Sequence, residues 1–143
     1  MISVDQGIAA TGELMNVFIA EDSESVRKNL QTLLSGISGV EITGYAVDEE
    51  GANEGIDSLL PDVVILDLHL QTGSGLNVLE HIRKKHAALK VIVLSNFATD
   101  PYISRCKQLG AEYFFDKSFQ FMSVKAVLEQ LLSDHAGRTA NGR

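Results

Sequence analysis

The chain has a single cysteine, Cys106, among 143 residues, so no intrachain disulfide can form and a reducing compartment suits it best. No apolar run approaches the roughly 20 residues that a membrane-crossing helix needs. Residues 1–7 lack the basic stretch leading into an apolar one that marks a secretory signal. Net positive charge is missing too: 12 Lys and Arg stand against 19 Asp and Glu, a formal net charge of −7. That disfavours nucleic-acid or anionic-membrane contact, which needs a concentrated positive surface. What remains is ordinary soluble composition, 45% hydrophobic and 22% charged, in a length suited to one core. The expectation is one cytoplasmic domain over residues 15–134, with a flexible leader at 1–14 and a polar tail at 135–143.

Only two prolines are present, and each punctuates a helix. Pro61 stops the second one, and Pro101 stands at the first helical position of the fourth, with Asp100 as its N-cap. Between these marks the pattern alternates. Met15 to Ala20, Val63 to Leu66 and Lys90 to Ser95 are nearly continuous aliphatic runs, as strands covered on both faces require. Val40 to Val47 is mixed apolar and polar, as an edge strand would be, and Glu112 to Asp116 is a short aromatic strand. Helical spacing recurs in Val26, Leu30, Leu33 and Leu34 after a Ser23 cap, and in Ala52, Ile56 and Leu59 after an Asp48 cap. It appears again in Leu76, Leu79 and Ile82 after Ser74, and in Val124, Val127, Leu128 and Leu131 of a last helix from about Gln120 to Ser133. Gly110 is placed just past the end of the fourth helix. Arg83, Lys84 and Lys85 read as a solvated helix end. Five strands alternating with five helices imply right-handed crossovers and a doubly wound five-stranded parallel sheet, order 2-1-3-4-5.

The strand ends carry the chemistry. The first delivers Glu21 and Asp22, the third Asp67, the fourth Ser95 and the fifth Lys117. All follow apolar strands on the edge where open α/β sheets place their sites. Taken singly, each has an ordinary reading as a cap, a turn residue or a solvated lysine. Together, three carboxylates repel and call for a cation, and oxygen-only ligation suits Mg2+. A nearby ammonium and hydroxyl are what an added phosphoryl group would need for neutralisation and a hydrogen bond.

Over residues 16–133 the chain resembles the receiver domain of bacterial two-component response regulators, in the manner of the single-domain chemotaxis type. The likeness rests on Phe18-Ile19-Ala20-Glu21-Asp22, Ile65-Leu66-Asp67-Leu68-His69-Leu70, Gly73-Ser74-Gly75-Leu76, Val93-Leu94-Ser95 and Gly110-Ala111-Glu112-Tyr113-Phe114-Phe115-Asp116-Lys117. It implies a flavodoxin-like (βα)5 fold in which Asp67 accepts a phosphoryl group from a histidine kinase or histidine phosphotransferase. Glu21, Asp22, Asp67 and the backbone carbonyl of His69 would hold Mg2+, Lys117 would pair with the phosphoryl group, and Ser95 would hydrogen-bond it. Ser95 and Phe114 would be the switch, altering a surface of fourth helix, fifth strand and fifth helix for a downstream protein target or a second copy of the chain. His69 and Phe97 would tune hydrolysis of the acyl phosphate. Self-phosphorylation and slow autodephosphorylation are expected, rather than turnover of a separate substrate, and the surface change stands in for an output domain. The chain departs from the family pattern in Glu21 where aspartate is commoner, in Ser118 where proline often follows the lysine, and in Phe114 where tyrosine is frequent.

Three other readings compete. A small phosphohydrolase of the haloacid-dehalogenase type would want an acid two residues after the nucleophile, where His69 stands. A flavodoxin-like cofactor binder would want a small, hydroxyl-rich loop after the first strand, where Glu21-Asp22-Ser23-Glu24 would repel phosphate. A pseudo-receiver, binding partners without phosphorylation, would not need the complete acidic set and Lys117.

Overall fold

The structure, a computed structural model, describes residues 14–96, 99–117 and 122–141. The elements are β1 (Met15–Ala20), α1 (Glu24–Ser35), β2 (Val40–Ala46), α2 (Glu49–Leu59), β3 (Val63–Leu66), α3 (Gly75–Lys85), β4 (Lys90–Ser95), α4 (Asp100–Gln108), β5 (Tyr113–Asp116) and α5 (Ser123–Asn141). Every strand pair is parallel, and the order is β2-β1-β3-β4-β5. This is the doubly wound sheet expected from the alternation, with the three aliphatic strands in the middle. Five of six β1 residues, all of β3 and five of six β4 residues are buried, whereas β5 is half-exposed throughout.

Strand residues alternate between two cores, because successive side chains leave opposite faces of a strand. Phe18, Ala20, Val64, Leu66, Val91 and Val93 pack with Ile56, Val78, Leu79, Ile82 and Cys106 beneath α2, α3 and α4. Met15, Val17, Ile19, Val63, Ile65, Ile92 and Leu94 pack on the other face with Leu30, Leu34, Val124 and Leu128 of α1 and α5. Gly55, inside α2, is explained by packing: a β-carbon there would lie 2.6 Å from the Phe18 ring. Burial of Cys106 pushes its thiol up to about 11, so it stays protonated and unreactive near neutral pH.

The expected caps of the first three helices form. Ser23 Oγ accepts from Val26 N, Asp48 Oδ1 from Gly51 N and Ser74 Oγ from Leu76 N. Three details differ from expectation. The N-cap of α4 is Thr99 rather than Asp100, so Pro101 falls one position later in the first turn, where a missing N–H still costs nothing. Helix α5 continues past Ser133 to Asn141, since adding a residue to a formed helix costs far less than starting one. Arg83 is not a solvated helix end. Its guanidinium donates to the carbonyls of Leu109, Ala87, Leu89 and Gly110 at 2.8–3.1 Å, tying α3 to the α4–β5 turn. Phe97, Ser118 and Phe121, the start expected for the last helix at Gln120, and the leader apart from Leu14 lie outside the described residues.

Candidate functional site

Three crossovers place the site. The backbone N–H of Asp67 donates to Ala20 O at 2.9 Å and that of Lys117 to Ser95 O at 3.1 Å, so the pairing that builds the sheet continues one step into the loops. Glu21, Asp67 and Lys117 therefore arrive at one edge as direct extensions of β1, β3 and β5. Lys117 Nζ lies 2.9 Å from Glu21 Oε1 and 3.1 Å from Asp67 Oδ2, linking residues 96 and 50 positions apart in sequence. Carboxylate oxygens of Glu21, Asp22 and Asp67 all lie within 4.8 Å of one another. The acids and the ammonium expected to converge do converge.

Their burial is uneven. The Glu21 and Asp67 side chains are 3% and 5% exposed, and Asp22 faces solvent. Burial raises the Glu21 carboxyl above its ordinary value, and the neighbouring Asp67 charge pushes the same way. The Lys117 ammonium and the Ser23 N–H only partly oppose them. Burial alone would lower Lys117, but its contacts with Glu21 and Asp67 outweigh that and hold it above the ordinary lysine value. A protonated lysine thus neutralises part of an excess of buried negative charge. The three-carboxylate donor set is oxygen-only and anionic, open to solvent at Asp22, which fits a hard cation such as Mg2+ and no soft metal.

The remaining expected residues are placed as follows. Ser95 ends β4, is fully buried, and sits opposite Asp116 in the β4–β5 register. Phe114 pairs with Val93 on β5 and packs, half-buried, against the core beneath α4. The His69 side chain is exposed and meets Tyr102 edge-on at 6.0 Å, while its backbone N–H donates to Asp67 Oδ1 at 3.2 Å.

Several positioning residues were not foreseen. Glu49, at the start of α2, accepts from Ser74 N and Asn77 Nδ2 at 3.0 and 3.1 Å, and its own N–H donates to Thr72 O. The β3–α3 loop beside Asp67 is thereby tethered to α2. Arg27 donates to the Glu21 carbonyl at 2.9 Å and lies over the Tyr45 ring at 4.5 Å. Gly75 opens α3 so close to β3 that a β-carbon would collide with the Asp67 carbonyl oxygen and the Leu68 backbone. These partners lie 6 to 28 residues apart or depend on backbone approach, and no local pattern announces them.

The site and fold define a receiver domain: residues 17–129 match the family model described as the response regulator receiver domain, and the chain belongs to that family. Among curated relatives it is 36% identical over 104 residues to an uncharacterized transcriptional regulatory protein, YvfU, of Bacillus subtilis, covering 73% of this chain and 52% of that one. It is 32% identical over 105 residues to a protein-glutamate methylesterase/protein-glutamine glutaminase of Treponema pallidum, covering 72% of this chain and 26% of that protein. The chain thus spans about half, or less, of the length of these relatives. Among solved structures it is similar to the CheX–CheY–BeF3–Mg2+ complex of Borrelia burgdorferi, with TM-score 0.76, 27% identity, and coverage of 93% of this chain and 98% of that one. The response regulator domain of Thermotoga maritima CheB shares the fold, with TM-score 0.74 at 24% identity over 87% of this chain and 98% of that one.

Proposed function

We propose that Asp67 accepts a phosphoryl group and that the resulting charge resets a protein-binding surface. The observation that carries this reading is the Lys117 ammonium bonded to both Glu21 and Asp67 inside a cluster of three carboxylates. An Asp67 carboxylate oxygen forms the new P–O bond as the donor's P–N bond breaks, and the imidazole of a phosphohistidine leaves with the electron pair. Glu21, Asp22, Asp67 and the His69 carbonyl are the residues that would hold Mg2+, which supplies charge neutralisation at the phosphoryl oxygens when bound. Lys117 keeps its proton and moves from Asp67 toward the added phosphoryl group, whose charge approaches −2. Ser95 hydrogen-bonds a phosphoryl oxygen, and Phe114 repacks in the space that opens beneath α4. The α4–β5–α5 face changes, which biases binding to a target.

The phosphodonor is a histidine kinase or phosphotransferase in the cytoplasm, and the reader of the switched face is a target protein or a second copy. In keeping with this, no helix among the described residues is long and apolar enough to cross a membrane. A phosphatase of the strand-end aspartate type is disfavoured because the residue two after Asp67 is His69, whose exposed ring supplies no second acid. Acetyl phosphate tests the proposal. With Mg2+ the intact mass should rise by one phosphoryl group, and Asp67→Asn should show no addition. A modified Asp67→Asn protein, or an unmodified wild type, overturns the assignment.

A further inference from the structure

A second cluster lies at the other end of α2 and α3. His81 Nε2 is 2.9 Å from Asp57 Oδ1, and His86 Nε2 is 2.7 Å from the same oxygen. One donor atom from each of the three residues lies within 4.8 Å of the others. Helix α3 starts against the Asp67 backbone, and His81 is six residues along it from Gly75, about 9 Å at 1.5 Å per residue. The cluster therefore takes no part in the carboxylate site. We propose that Asp57, His81 and His86 form a second cation site, for a borderline divalent transition ion of the Zn2+ class, which clamps α2 to α3.

Four observations argue for it. Two imidazole nitrogens and one carboxylate are the donor set such ions prefer, unlike the oxygen-only set around Asp67. Donors at bond lengths of about 2.0–2.2 Å around a tetrahedral ion stand roughly 3.3 Å apart, so the two Asp57–histidine spacings of 2.9 and 2.7 Å need widen by only about 0.5 Å. The backbones are held in place, since Ile56 and Ile82, each next to a ligand, are fully buried, and the His86 N–H donates to Ile82 O at 2.6 Å. Access is open: the three side chains are 17–32% exposed, and a cleft lined by Leu60, Pro61, Asp62 and Lys90 reaches His86. Three protein ligands leave a fourth position for water.

Lys85 opposes an ion. Its Nζ lies 3.3 Å from Asp57 Oδ2 and would have to swing away, which a side chain 57% exposed on a flexible stem can do. Lys85 therefore sets the affinity, and the ion takes the place of the hydrogens that now lie between imidazole and carboxylate, which move to Nδ1 of a neutral ring or leave to solvent from a charged one.

The test is a Zn2+ titration of the full chain in excess Mg2+, followed by calorimetry and by 15N resonances of the histidine rings. Saturable one-to-one binding is expected, with the His81 and His86 Nε2 resonances shifting. His81→Gln and His86→Gln should each weaken binding by more than the roughly 10–100-fold that losing an outer-shell partner costs. Lys85→Gln should tighten it and removes no ligand, so the test stays decisive if a histidine variant fails to fold. Asp67→Asn should leave the Zn2+ affinity unchanged, which separates this site from the phosphoryl site. Absence of saturable binding, or binding that survives both histidine substitutions and ignores Lys85→Gln, overturns the proposal and leaves a hydrogen-bonded clamp.

Discussion

Two clusters of polar side chains lie by opposite ends of α2 and α3, three carboxylates at one and Asp57 with two histidines at the other, and each carries a lysine, yet the lysines do different things. At the Asp67 site Lys117 is 12% exposed between carboxylates 3% and 5% exposed. At the far end Lys85 is 57% exposed and touches one oxygen of an Asp57 already bonded to two imidazoles. Depth decides the outcome. Buried carboxylates without a countercharge would cost several kcal/mol each, so the first group needs its ammonium in order to fold. The second group shares hydrogens among neighbours at the surface, where an added lysine contributes little.

Removing the ammonium at each end is the strongest way to break this comparison. Lys117→Ala should cost up to about 3–5 kcal/mol by urea denaturation, regained in part on adding Mg2+. Lys85→Ala should stay within about 0.5 kcal/mol. Equal losses would show that depth is not what separates the two.

Next in size is Gly75→Ala. The added carbon has no flexible neighbour to displace, only the Asp67 and Leu68 backbone. A loss of about 1–3 kcal/mol in thermal unfolding is expected, with chemical-shift changes running from Asp67 to Ser74. A silent substitution would mean that α3 can slide away from β3 freely.

The smallest effects are those of pH, and they run in opposite directions. Glu21 has a folded pKa above its ordinary 4.5. Its contribution to stability is complete below 4.5 and is lost as pH rises through the folded value. Glu21→Gln should flatten that decline in denaturation midpoints measured across the window. Asp57 is held below its ordinary 3.8, chiefly by the His86 hydrogen bond, with His81 and Lys85 adding to it. Its contribution is present above 3.8 and fades as pH falls below, and Asp57→Asn should remove about 0.2–1 kcal/mol of that acid-side loss. Slopes of the same sign at both ends would remove the distinction.

Much of the site was legible before any coordinates. Asp67 follows Val63-Val64-Ile65-Leu66 directly, Glu21 and Lys117 follow their strands in the same way and Ser95 ends its own, so strand assignment carries side-chain placement with it. Ser23, Asp48 and Ser74 were readable as caps because the bonded N–H lies two or three residues on. Arg83 was misread for the converse reason: the carbonyls of Leu109 and Gly110 that it binds are 26 and 27 residues away. His81 and His86 read from sequence only as positive charge at the end of their helix; their meeting with Asp57, like the contacts of Glu49, joins partners 24 to 29 residues apart and has no local signal.

From the chain alone came the alternation of elements, the strand order and the acids, hydroxyl and ammonium at one edge. Those follow from local periods and from right-handed crossovers, which leave few arrangements of five aliphatic and aromatic strands. Tertiary structure alone decided how deep each charge lies, which helix flanks meet, and that one glycine must face the Asp67 backbone. Burial and proximity between distant segments arise only when both cores close, because a side chain's dielectric surroundings and partners belong to the packed molecule and not to its neighbours in sequence.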